Sequence, residues 1–146
     1  MKDYRTTSHT KYDIKVHLVW ITKYRKKILK NDIVISARDI IRKICQDNDV
    51  QIIKGHLAPD HVHLFVSYPP HISISKIMQY IKGTTSRKMM MKFPEIRRTF
   101  WGKHFWARGY FAVSSGTITD ETIIEYIEQQ GRQELEKPDD FEIKNH

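Results

Sequence analysis

Residues 50–67 read Val50-Gln51-Ile52-Ile53-Lys54-Gly55-His56-Leu57-Ala58-Pro59-Asp60-His61-Val62-His63-Leu64-Phe65-Val66-Ser67. The segment 50–57 has the composition of a strand. Ala58-Pro59-Asp60 turns the chain, and 61–67 is a second strand that Pro69-Pro70 ends. In the second strand Val62, Leu64 and Val66 share the face turned to the core, while His61 and His63 share the other.

Upstream, 12–22 reads as a strand in which Ile14, Val16, Leu18 and Trp20 alternate onto one face and Lys15 and His17 onto the other. A basic turn, Lys23-Tyr24-Arg25-Lys26-Lys27, follows. Asp32 is placed to cap a helix to about Asp47, with Ile33, Ala37, Ile40, Ile41 and Ile44 at helical spacing. Downstream, Ser73 caps a second helix, with Ile74, Ile77, Met78 and Ile81 along one side. Gly83 weakens that helix, and Pro94 sets its end. A short strand spans 109–114, then the small residues Ser114-Ser115-Gly116-Thr117 form a connector. Thr119 or Asp120 caps a last helix running past Gln130, as far as Pro138. The order β-α-β-β-α-β plus a helix predicts an α+β, ferredoxin-like antiparallel sheet with helices packed on it. We read 1–146 as a single domain, with a disordered tail from about residue 138.

Lysine and arginine number 25 against 17 aspartates and glutamates, a net charge of +8, which favours a polyanionic partner. No run approaches the roughly 20 apolar residues that span a bilayer. The opening Met1-Lys2-Asp3-Tyr4-Arg5 does not read as a signal peptide. One cysteine, Cys45, leaves no intramolecular disulfide and points to a cytoplasmic setting. No Gly-rich loop is present to hold a nucleotide, so no nucleotide cofactor is expected.

Three features carry candidate chemistry. His61 and His63 stand on one strand face, close enough to grip one metal ion, or to serve as hydrogen-bonding groups on a half-exposed strand. Tyr126 and Gln130 stand one turn apart on the last helix, beside Ile123 and Ile127. A lone tyrosine there reads as a core aromatic, but a carboxamide on an apolar stripe needs a partner, which a metal or a polar cleft supplies. Basic clusters, among them Lys23, Arg25 and Lys26 and then Arg87 and Lys88, are interleaved with aromatics, a pattern suited to unpaired nucleic acid.

In this order and at these distances, several short pieces resemble the single-tyrosine HUH transposases of small bacterial and archaeal insertion sequences, the IS200-like group. They are His17-Leu18-Val19-Trp20 with Lys23-Tyr24-Arg25; Asp60-His61-Val62-His63-Leu64; Lys82-Gly83 with Ser86-Arg87; Trp106, Gly109-Tyr110-Phe111, Ser114 and Gly116; and Tyr126-Ile127-Glu128 with Gln130. The resemblance spans nearly the whole chain. It implies a metal site of His61, His63 and Gln130 for Mg²⁺ or Mn²⁺, and Tyr126 as a nucleophile forming a 5′-phosphotyrosine link. It also implies a homodimer acting on single-stranded DNA hairpins at element ends. His17 fits the pattern without an assigned role. Two other readings are a non-catalytic, domesticated single-stranded nucleic-acid-binding protein and a water-using phosphodiesterase. No sheet-face aromatic motif of the RNA-recognition kind supports the first, and no second His-x-His supports the other.

Overall fold

The structure is a computed structural model that describes residues 4–101, 104–114 and 119–136. A small hairpin, β1 (Arg5–Thr6) and β2 (Lys11–Tyr12), precedes β3 (Lys15–Ile21). Then follow α1 (Asn31–Asp47), the hairpin β4 (Gln51–Ala58) and β5 (His61–Ser67), α2 (Ile74–Lys92), α3 (Pro94–Thr99), β6 (Phe111–Ser114) and α4 (Asp120–Glu136). The main sheet runs β4-β5-β3-β6, every neighbouring pair antiparallel. This is the strand order of the expected ferredoxin-like α+β unit. The additions are the N-terminal hairpin, α3 and α4.

Period-two alternation divides β3 and β5 between two cores. Val16, Leu18 and Trp20, with Val62, Leu64 and Val66, pack against α1 and α2. The opposite face is not the polar one that the alternation of 12–22 suggests. Val19 and Ile21 are fully buried there with Ala107, Ile123 and Ile127, because α4 covers it. The unbroken apolar run Leu18-Val19-Trp20-Ile21 is what a strand buried on both sides requires.

Local chemistry sets the helix ends. The Ser73 hydroxyl accepts from the Lys76 amide at 3.1 Å and caps α2. Thr119 does the same for α4, accepting from the Thr122 amide at 3.2 Å. By contrast, Asp32 does not cap α1. The helix starts at Asn31, after Lys30, with no side-chain cap, and Asp32 lies in its first turn, where its charge complements the helix dipole. α2 passes straight through Gly83, where an added side chain would meet open space. Pro94 stops α2 and opens α3 at once, its ring angle suiting a first helical turn. The Trp106 indole N–H donates to the buried Thr85 hydroxyl at 2.7 Å, tying the segment before β6 to α2. The Trp20 indole lies edge-on to Trp106, its own buried N–H without a partner among the described residues. The connector at Ser115, Gly116 and Thr117 and the tail from residue 138 lie outside the described residues. No described helix is long and apolar enough to cross a membrane.

Candidate active site

Because β5 alternates, His61, His63 and Phe65 stand on the sheet face that α4 covers, and His17 joins them from β3. The His17 Nδ1 lies 3.2 Å from the His63 Nε2, and the His17 ring stacks on Phe65 at 4.2 Å between centroids. His56 of β4 borders the same cleft, about 670 Å³ in volume, with Ile123, Ile124 and Ile127 of α4 across from the imidazoles.

The turn before β5 orients His61. Asp60 is buried, and its Oδ1 stands 2.9 Å from the His61 Nδ1. Its Oδ2 accepts from the Arg25 Nε at 3.3 Å and Nη2 at 3.2 Å. Burial works to raise the Asp60 carboxyl, but the hydrogen bonds and charges of His61 and Arg25 outweigh it and hold the group below its usual value. A carboxylate accepts a hydrogen bond from the Nδ1–H of an imidazole, which leaves Nε2 as the nitrogen available to a cation. His63 is held below the usual histidine value first by burial, then by the charges of His17, His61, His56 and Lys54, so it favours the neutral, ligating form. Two imidazoles with available lone pairs suit a divalent ion. Among the described residues, no three of His, Cys, Asp and Glu already form a finished cage.

The other expected pair sits apart from this one. The Tyr126 ring packs on Phe111 at 5.2 Å, and burial pushes its hydroxyl up to about 12. The Gln130 Nε2 donates to the Arg108 carbonyl at 3.0 Å, so a backbone oxygen supplies the partner its carboxamide needs. The structure thus brings His61 to His63 and Tyr126 to Gln130, while isoleucines of α4 face the histidine cleft.

The expected DNA contacts divide. Lys26, Arg87 and Lys88 are exposed. Lys23 is corrected: it is buried, 4% exposed, with its ammonium over the Tyr24 ring, so it presents no surface charge to a phosphate. Arg25 serves within the fold. It holds Asp60, and its aliphatic stem lies against Gly131 of α4, where a Cβ would come within 2.5 Å of the Arg25 Cδ. Tyr24 and Arg25 both adopt left-handed backbone conformations, a strained turn of the kind found at functional sites. Trp101, just beyond Arg97 and Arg98, is 86% exposed, whereas Phe100, Phe105 and Trp106 are core. Sequence reasoning missed Asp60 as an orienting group. Its signal was a carboxylate directly before the first histidine of the pair.

The ferredoxin-like sheet thus carries a paired-histidine cleft on its second β-hairpin, with α4 laid over it. The chain belongs to the family described as "Transposase IS200 like", whose pattern matches residues 10–130. It is 32% identical to the ISDra2 transposase TnpA of Deinococcus radiodurans over 82% of this chain and 85% of that one. It is 31% identical to the transposase for insertion sequence element IS200 of Salmonella typhimurium over 89% and 85%. A crystal structure of a D. radiodurans transposase matches with a TM-score of 0.76 at 29% identity, over 86% of this chain and 97% of the other. A REP-associated tyrosine transposase, solved bound to a REP hairpin, shares the fold at a TM-score of 0.52 and 17% identity, over 88% and 68%.

Proposed function

We propose that this transposase cuts and rejoins single-stranded DNA at the ends of a mobile element, through a 5′-phosphotyrosine link on Tyr126. The observation that carries the reading is the Arg25–Asp60–His61 chain beside His63. It orients one imidazole and sets it beside a second that burial holds toward its neutral form, in one cleft. His61, His63 and Gln130 would hold the ion, Mg²⁺ or Mn²⁺. Bound there, it supplies Lewis-acid charge to the scissile phosphate. The Tyr126 oxygen attacks phosphorus, the bond to the 3′ oxygen breaks, and the phenolic proton ends on the released 3′-hydroxyl. One phosphoester replaces another, so the step is reversible and needs no nucleotide. The hairpin held by the REP-associated relative supports a hairpin substrate here.

Tyr126 has to reach the histidines from its place on Phe111. At about 100° per residue, Tyr126 lies roughly 60–100° around α4 from Ile123 and Ile127. A quarter-turn of the helix, or delivery of α4 from a second subunit of a homodimer, presents it to the cleft. A labelled single strand carrying an end of the element tests the reading. Wild type should leave a covalent adduct on a denaturing gel, and Tyr126→Phe should bind the strand without one. An adduct on Tyr126→Phe refutes the assignment. The packing of Tyr126 away from the histidines favours one other reading, binding of single-stranded nucleic acid without chemistry. In that case wild type forms no adduct.

A further inference from the structure

The histidine cleft is closed on one side and open on the other. α4 covers it over β3, where Val19 and Ile21 are buried. It stays open over β4, the edge strand of the sheet, where Lys54 and His56 are exposed. Cross-strand partners share a sheet face, so β4 sets Lys54 beside Phe65 and His56 beside His63 on the histidine side. An irregularity in β4 puts Lys54 there. Ile52 pairs with Val66 and Lys54 with Phe65, so Ile53 is an extra residue, a β-bulge. Strict alternation from Ile52 would set Ile53 opposite Phe65 and over the cleft. The bulge holds Ile53 out of the pairing, 46% exposed, and Lys54 takes its place. Gly55, between the two, faces the core: a Cβ there would come within 2.9 Å of the Leu64 Cδ2. Among the residues that line the cleft, Lys54 is the only ammonium and none is a carboxylate.

We propose that Lys54 and His56 form a second phosphate site, which receives the phosphodiester next to the scissile one and makes the β4 edge the side from which the strand enters. This rests on the single-stranded DNA substrate proposed above and deepens it. The ammonium supplies charge, and an imidazole donates an N–H to a phosphate oxygen in either protonation state. His56 and His63 are direct cross-strand neighbours, about 5 Å apart at Cβ, so a phosphate on this rim lies within one nucleotide of a phosphate at the histidine pair. A lysine on an edge strand also guards against edge-to-edge pairing, but that task is indifferent to the face it takes.

The full-length protein is titrated in chelator, by fluorescence anisotropy, with a labelled single strand carrying an end of the element. Linkages at the element boundary are made neutral one at a time as methylphosphonates. In wild type the linkage next to the scissile one should cost about three- to tenfold in affinity. Lys54→Gln/His56→Ala should bind the unmodified strand about three- to tenfold more weakly than wild type does. In that variant the same neutral linkage should cost less than about twofold more, and the log–log salt slope should fall by about 0.7. Both side chains are exposed, and a thermal melt matching wild type checks the fold. If every neutral linkage costs the variant as much as it costs wild type, the phosphate site is overturned. Aggregation of the variant on gel filtration with that penalty intact also overturns it and assigns Lys54 to guarding the edge. If the linkage is silent in the variant but wild type forms no covalent adduct, the cleavage reading fails and the phosphate site stands.

Discussion

Replacing Asp60 by asparagine preserves shape and removes charge at a residue that links the turn after β3 to the histidine strand. Two interactions are lost or weakened. The Arg25 side chain is 38% exposed, so its ion pair with Asp60 contributes less than about 1 kcal/mol. The bond to His61 joins side chains only 12% and 19% exposed, and a hydrogen bond to a charged group in that setting is worth about 1.5–3 kcal/mol. Because an amide oxygen still accepts, the expected loss is roughly 1–3 kcal/mol, or roughly 3–10 °C in Tm for a chain of this size. The effect on ion binding should be larger in proportion. An unoriented ligand typically costs about 10–100-fold in affinity. Thermal melts followed by circular dichroism in chelator, and calorimetric titration with Mn²⁺, read the two effects separately. The pH dependence has a definite sign. Asp60 is held below its usual value, so its stabilisation is present at neutral pH and disappears as pH falls through that lowered value. Wild type and Asp60→Asn should converge in acid. If Asp60→Asn melts with wild type at pH 7 and binds Mn²⁺ equally well, the orienting role is refuted.

A shared active site should show in mixing: His63→Ala and Tyr126→Phe chains, each inactive, regain cleavage together if α4 of one subunit serves the histidines of the other. No recovery in proven heterodimers places both pairs in one chain. Tyr126 should ionise late, near 12, in the free protein, read as the difference in ultraviolet titration between wild type and Tyr126→Phe. Its folded value is raised above about 10, so unfolding takes up the ionised form first, and the wild type should lose stability between about pH 10 and 12 more steeply than Tyr126→Phe. A tyrosine titrating at the ordinary value would place that ring in solvent. Thr85→Val removes the buried hydroxyl that accepts from Trp106 and donates to the Ile81 carbonyl at 2.6 Å. It should cost about 1–3 kcal/mol in chemical denaturation, and an unchanged midpoint would contradict the bond.

The sheet was legible because its strands obey period two and its turns carry proline and aspartate. The strand 61–67 is recovered to the residue, and Ser73 caps as its position predicts. The N-terminal hairpin was not legible. Its strands are two residues long, and the Arg5 guanidinium holds it through contacts to Ser67 and Asp49, far away in sequence. α3 was missed because Pro94 reads first as a terminator, although the same ring suits a helix start. The second core under α4 was written in Val19 and Ile21, but alternation invites one buried face, and only tertiary packing reveals two. At the site, sequence spacing correctly put His61 with His63 and Tyr126 with Gln130 on common faces. How far one pair stands from the other depends on the docking angle of a helix, which no local pattern encodes. Lys23 went astray for a related reason: a charged residue in a basic run looks solvated until its turn is seen folded back under Tyr24.

The three tryptophans divide cleanly between interior and surface, and that makes the protein its own optical probe. Trp20 and Trp106 are 0% and 5% exposed, edge to face in the main core, while Trp101 is 86% exposed. Under ultraviolet excitation the buried pair emits at shorter wavelength and is shielded from iodide, whereas the third emits to the red and is quenched by it. A single strand that stacked on Trp101 would dim the red emission alone, and unfolding of the sheet would shift the blue. Trp101→Phe subtracts the first signal and leaves the second, so occupancy and integrity are read from one cuvette.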